Sequence, residues 1–218
     1  MNKTFLAIQF IFLAFVFTDA KAQPTASYNA DSAQYWWGKG FVNAVKGNYE
    51  TAISEYDRSI ELYPLKGEVF YDRGNAKAQT KNYMGAIEDF TVAIKYLTDD
   101  AEKWKAYFLR GRAKQEISDL QGAILDFTEA IALSPKDEEA YYQRASAKDK
   151  LKDFRGAIQD YTKVIEINPS SMRAYKLRGI EKIRIQDKDG GCVDLAKASE
   201  LGDTKVTEVM GRLCNAPQ

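Results

Sequence analysis

The stretch AYYQRASAKDKLKDFRGAIQDYTKVIEINP, residues 140–169, decides the fold, because the chain repeats it. The pattern recurs as YWWGKGFVNAVKGNYETAISEYDRSIELYP (35–64), VFYDRGNAKAQTKNYMGAIEDFTVAIKYLT (69–98) and AYFLRGRAKQEISDLQGAILDFTEAIALSP (106–135). A degenerate fifth copy, AYKLRGIEKIRIQDKDGGCVDLAKASELG, occupies 174–202. A small residue in the first half of each copy marks the register: Gly40, Gly74, Gly111, Ala145 and Gly179, at spacings of 34, 37, 34 and 34. Self-similarity at such a period signals a stack of units, none of which buries its apolar face alone. The one longer spacing predicts about three extra residues in the connection from Thr98 to Lys103.

Each copy reads as two helices. In the second copy Phe70, Gly74 and Lys77 mark one helix, and Ala86, Phe90, Ala93 and Ile94 stand at 0, 4, 7 and 8 on the next. Polar breaks such as Lys46-Gly47-Asn48, Lys81-Asn82 and Ser118-Asp119 separate the halves. Pro64, Pro135 and Pro169 close second helices, since proline cannot continue the hydrogen-bond ladder. The small residues let two backbones approach, with Tyr56, Phe90, Phe127 and Tyr161 filling the gap toward the neighbouring unit.

The composition limits the chemistry. Lys+Arg and Asp+Glu each total 31 of 218 residues, so no bulk basicity points to nucleic acid. There is no histidine, which removes the usual general base and the commonest transition-metal ligand together. Two cysteines cannot form a four-cysteine zinc site, and no phosphate loop, nucleophile elbow or metal-ligand cluster is found. The reading is a non-enzyme with no cofactor and no metal.

Residues 1–22, MNKTFLAIQFIFLAFVFTDAKA, carry Lys3, an apolar run from Phe5 to Phe17 and an Ala20-Lys21-Ala22 cleavage pattern. They predict a signal peptide, with an uncleaved membrane anchor as the alternative. A flexible segment, 23–32, is expected next, with Asp31 or Ser32 capping the first helix. The leader implies an exported protein, periplasmic in a Gram-negative source and secreted otherwise, that is not integral to the membrane once the leader is removed.

The order of aromatic, small residue, Tyr/Phe-x-x-Ala, aromatic, Ala/Val and Pro over residues 33 to about 202 resembles the tetratricopeptide repeat. The resemblance implies an all-α, right-handed solenoid of helix-turn-helix units over 33–66, 67–100, 104–137, 138–171 and 172–203. It also implies a concave face made by the first helices. The chain departs from the family where a leucine usually precedes the small residue: Lys39, Arg73, Arg110, Arg144 and Arg178 stand there instead. Each has an acid sixteen residues on: Glu55, Asp89, Asp126, Asp160 and Asp194. Five matched pairs favour ion pairing within each unit over a basic ladder that recognises carboxylates or phosphates. The fifth copy also lacks its ring pair, with Lys188 and Leu195 in those places.

A solenoid exposes an apolar end unless something covers it. Thr204 is placed to cap a short helix whose Val206, Val209, Met210 and Leu213 form one stripe, so 204–218 reads as a capping helix and tail. Two antiparallel helices joined at Gly202-Asp203 bring Cys192 and Cys214 to the same far end. In an oxidising compartment a disulfide there is the favoured reading, and two buried free thiols the alternative.

Family members usually hold ligands on the concave face. The resemblance places Trp37, Phe41, Glu68, Tyr71, Asn75, Lys105, Phe108, Arg112, Tyr142, Arg173, Lys176 and Arg184 there. Trp37, Tyr71, Phe108 and Tyr142 form an aromatic row, read either as binding hot spots or as packing between first helices. Lys105, Arg112, Arg173, Lys176 and Arg184 could bias the C-terminal half toward an acidic peptide. The expectation is a scaffold or adaptor that binds a protein or peptide partner. The alternatives are an envelope glycan-binding module using the aromatic row, and a regulatory subunit of an envelope enzyme complex.

Overall fold

The computed structural model describes residues 29–214. The leader expected over 1–22, most of the segment 23–32 and the final four residues lie outside the described residues. Eleven helices follow one another there: α1 (Ala30–Val45), α2 (Tyr49–Leu62), α3 (Gly67–Gln79), α4 (Tyr83–Tyr96), α5 (Asp100–Glu116), α6 (Leu120–Leu133), α7 (Glu138–Lys150), α8 (Phe154–Ile167), α9 (Met172–Arg184), α10 (Lys188–Glu200) and α11 (Val206–Leu213). Helices α1 to α10 form five hairpins, each second helix packing on the first helix of the next hairpin. First helices also touch along the stack, α1 with α3, α3 with α5 and α5 with α7. The array is a right-handed solenoid of tandem helix-turn-helix repeats.

Short local signals set each hairpin. The turn residue after each first helix is left-handed, with φ from 63° to 81° at Gly47, Lys81, Ser118, Lys152 and Gln186. The next residue caps the second helix. Asn82, Asp119, Asp153 and Asp187 accept from the N–H groups of Gly85, Gly122, Gly156 and Gly190 at 2.9–3.1 Å. A Cβ on Gly122 would fall 2.1 Å from the Asp119 carboxylate, so glycine is the residue that lets the cap close. The first repeat has Thr51 at this place, and Asn48 makes no side-chain cap bond.

Inside the first four hairpins a ring packs within its own repeat, on the small residue where that is glycine, and Tyr56 and Tyr161 also share core clusters with Val69 and Ala174 of the next repeat. A Cβ on Gly111 would stand 2.9 Å from Phe127, which is fully buried, as are Tyr56, Phe90 and Tyr161 at the same register. Burying such a side chain contributes about 1.5–3 kcal/mol. In the fifth repeat the fully buried Leu195 replaces the ring, and the helices close the space by direct backbone approach. A Cβ on Gly191 would sit 2.6 Å from the Gly179 carbonyl oxygen.

The three extra residues do not lengthen a loop. Asp99 caps α5 by accepting from the Ala101 N–H at 2.9 Å, with Asp100 and Glu102 favouring the positive end of the helix dipole. The insertion becomes an additional first turn, and α5 has 17 residues where α3, α7 and α9 have 13.

The basic residue before each small residue binds two repeats at once. Arg73, Arg110, Arg144 and Arg178 each grip Asp89, Asp126, Asp160 and Asp194 in turn through Nε and Nη2, at 2.6–3.0 Å. The second carboxylate oxygen also takes a lysine one turn along the first helix, Lys77, Lys114, Lys148 or Lys182, at 2.7–2.8 Å. The remaining Nη1 donates to the second helix of the preceding repeat, at Asp57, Thr91, Thr128 and Thr162, 2.6–3.1 Å away. Each guanidinium further stacks 5.4–5.6 Å from a ring three residues earlier, Phe70, Tyr107, Tyr141 or Tyr175. In the first repeat Lys39 stands 3.3 Å from Glu55, and Asn43 takes the lysine's place at 2.8 Å.

The two ends differ. At the C-terminal end α11 packs on α10, with Val206 fully buried against Leu195 and Ala198, and a disulfide joins Cys192 to Cys214. Thr204 does not cap α11. Lys205 stands at the cap position and no side chain caps the helix; in the turn before it Asp203 accepts from the Lys205 N–H at 3.0 Å and pairs with Lys176 at 2.5 Å. At the other end Asn29, not Asp31 or Ser32, caps α1 by accepting from the Ser32 N–H at 2.9 Å. Tyr35, Phe41, Val42 and Val45 remain exposed on α1.

Asp126 is buried, so Asp126→Ala strands Arg110 and Lys114 and is expected to cost about 3–5 kcal/mol. Urea denaturation checks it, and an unchanged midpoint contradicts the clamp. Cys192→Ser opens a closed loop with a sequence separation of 22. It should cost about 3 kcal/mol and speed amide exchange in α11 while leaving that of α3 to α6 unchanged.

Candidate partner-binding groove

The first helices line the inner face of the solenoid, and their exposed side chains decide what that face offers. At its N-terminal half, Trp37 and Phe41 stand one turn apart on α1, Glu68, Tyr71 and Asp72 lie on α3, and Glu102 and Lys105 on α5. Together with Leu97 beneath them they enclose a cavity of about 270 Å³. Phe41 is 55% exposed, unusual for a ring in a folded chain and consistent with an open wall.

The cavity is pre-organised by its own hydrogen bonds. The Trp37 indole N–H donates to Asp72 Oδ2 at 2.7 Å, which fixes both side chains. Lys66 Nζ lies 3.7 Å from the centre of the Trp37 ring and donates to Gln34 at 2.7 Å, outside the cavity wall. Burial pushes the Asp72 carboxyl above the ordinary range. The Trp37 hydrogen bond opposes this, Glu68 and Glu102 add to it, and Lys66 counters it. Burial likewise raises the Tyr71 phenol.

The C-terminal half is different, because the chain consumes its own groove positions. Tyr142 is buried between Tyr161, at 5.7 Å, and the Arg173 guanidinium, at 3.7 Å. Lys176 is tied to Asp203, and Arg184 to Asp149 and Glu181. Phe108 packs on Phe127 at 5.7 Å, as Tyr71 does on Phe90 at 6.0 Å, and both are half-buried; Phe108 also meets Trp104 at 6.3 Å and does not line the cavity. Arg112 is exposed on α5 but does not line the cavity. The aromatic row is therefore no continuous open platform. Trp37, Phe41, Tyr71 and Lys105 are brought together; Phe108, Arg112, Tyr142, Arg173 and Lys176 are not.

Sequence reasoning missed Asp72 and Glu102 as lining residues. The signal for Glu102 was the 37-residue spacing, which carries the extra turn of α5. Among the described residues no group of three or more acidic, histidine or cysteine side chains could hold a metal ion, and no helix is long and apolar enough to cross a membrane.

Comparison with known proteins bears on the repeats. Residues 138–171 match the tetratricopeptide repeat. A crystal structure of MamA is 27% identical with a TM-score of 0.71, covering 77% of this chain and 96% of that one. The crystal structure of YrrB, described as a TPR protein with an unusual peptide-binding site, is 18% identical with a TM-score of 0.74, covering 85% and 94%, a likeness of fold. Among curated proteins, the Protein SGT1 homolog of Bos taurus is 31% identical over 72 residues and that of Homo sapiens 33% over 61. The chain spans only 21% and 17% of the length of these relatives. The chain is thus an all-α solenoid of tetratricopeptide-like repeats, and that fold is consistent with a protein-interaction scaffold.

The raised Asp72 carboxyl has a consequence for stability. A folded-state value above the unfolded one means the native protein holds the proton more tightly. Stability contributed by this group is therefore lost as pH rises from about the usual value of 3.8 through the folded value. Asp72→Asn keeps an acceptor for Trp37 and should be more stable relative to the parent at pH 7 than at pH 4. Urea unfolding at both pH values checks the sign, and the opposite order contradicts it.

Proposed function

We propose that this chain is an exported scaffold that holds a peptide or helix of a partner protein on its concave face, with the contact centred on α1, α3 and α5. The observation that carries this reading is the open cavity of about 270 Å³ walled by Trp37, Phe41 and Tyr71. Aromatic side chains offer large contact area for little lost conformational freedom, and Trp and Tyr are enriched at binding hot spots. Binding on a preformed surface needs no chemical step. The covering of Tyr142 by Arg173 shortens the aromatic row, which favours a protein partner over a glycan ligand that would need a run of open rings. The Cys192–Cys214 disulfide supports export, since such bonds persist in oxidising compartments.

A photo-crosslinking residue placed at Phe41 or Tyr71 in the native cell should trap a discrete protein partner. The same residue at Glu88 or Glu129, exposed on second helices, should not. Equal yields from both sets, or none from Phe41 and Tyr71, would contradict the reading.

A further inference from the structure

Three carboxylates stand at the cavity against two nearby cations, Lys105 and Lys66, the latter over the Trp37 ring outside the wall and countering Asp72. Glu68, Asp72 and Glu102 line it with one cation, Lys105, which is exposed; the wall carries an excess of negative charge. Elsewhere along the stack the buried acids are matched: Asp89, Asp126, Asp160 and Asp194 each take an arginine and a lysine. Asp72 instead receives a neutral indole N–H, and its two acidic neighbours crowd it. Glu102 reaches the cavity only because the insertion before Trp104 adds a helical turn to α5. The one irregularity in repeat length thus adds an acid to an aromatic chamber.

We propose that this chamber receives a cationic side chain, arginine or lysine, of an extended peptide in a partner protein. The inference rests on the groove-binding reading above and specifies its ligand. A metal ion is not the natural occupant, since these acids do not form a group that could hold one. A guanidinium or ammonium suits both kinds of wall. Its charge is drawn to the faces of Trp37, Phe41 and Tyr71, and its N–H groups can donate to Glu68 and Glu102 at the rim. Leu97 beneath would take the apolar stem of the same side chain.

A positional-scanning library of capped hexapeptides, bound to the full chain and read by sequencing, tests the proposal alongside the variant Glu68→Gln/Glu102→Gln. Circular dichroism confirms that the variant folds. The expected result is enrichment of arginine or lysine at one peptide position by the parent. That preference should fall at least tenfold in the variant and weaken with added salt, whereas preferences at apolar positions persist. Enrichment of neutral or acidic peptides by the parent, lost on Phe41→Asp, would overturn the cation while leaving groove binding in place. An unchanged arginine or lysine preference in the variant would likewise overturn the role of these acids. No peptide retained by the parent would overturn both readings.

Discussion

One guanidinium shared between two repeats is the contact on which this stack depends. A charge taken out of water costs several kilocalories per mole unless its partners replace the lost hydration. Each ladder arginine meets that condition in three directions: a bidentate aspartate in its own hairpin, a hydroxyl or carboxylate on the preceding one, and a ring face beside it. The lysine one turn along satisfies the other oxygen of the same aspartate. Removing any member strands another, so neighbouring repeats are coupled through charge as well as through apolar contact. A leucine at this position would fill space without fixing how far one hairpin rotates on the next.

Much of this was legible from the period. The spacing of Gly40, Gly74, Gly111, Ala145 and Gly179 fixed the hairpins and their order, and the offset of sixteen residues pointed from each arginine to its acid. What stayed hidden depends on neighbours that no local pattern names. The hydroxyls of Thr91, Thr128 and Thr162 meet the next repeat's arginine only once the solenoid curves. The insertion near Asp99 read as loop because length alone does not tell a longer connection from an added turn; the Asp99 cap decides it. Groove positions taken from the family pattern fall on the first helices, but could not show that Arg173 would cover Tyr142 or that Asp203 would engage Lys176.

A single theme links these differences to function. Where the array is regular, its side chains are used up in holding neighbours together, and the inner face there offers little. Where it departs from the rule, at the first repeat and at the lengthened α5, rings and carboxylates line a cavity. The proposed binding site thus lies at the irregular end of the stack, and the disulfide-tethered helix α11 packs on the other.

The most direct test of the account is a double-mutant cycle on Arg144 and Asp160, measured by urea denaturation of Arg144→Met, Asp160→Leu and the combined variant. Arg144→Met leaves Asp160 with Lys148 alone, Asp160→Leu leaves Arg144 and Lys148 without their acid, and the double change removes the stranded guanidinium, so the account predicts a coupling of about 2 kcal/mol or more. Effects that simply add, to within about 0.5 kcal/mol, would show that the clamp does not hold the stack together.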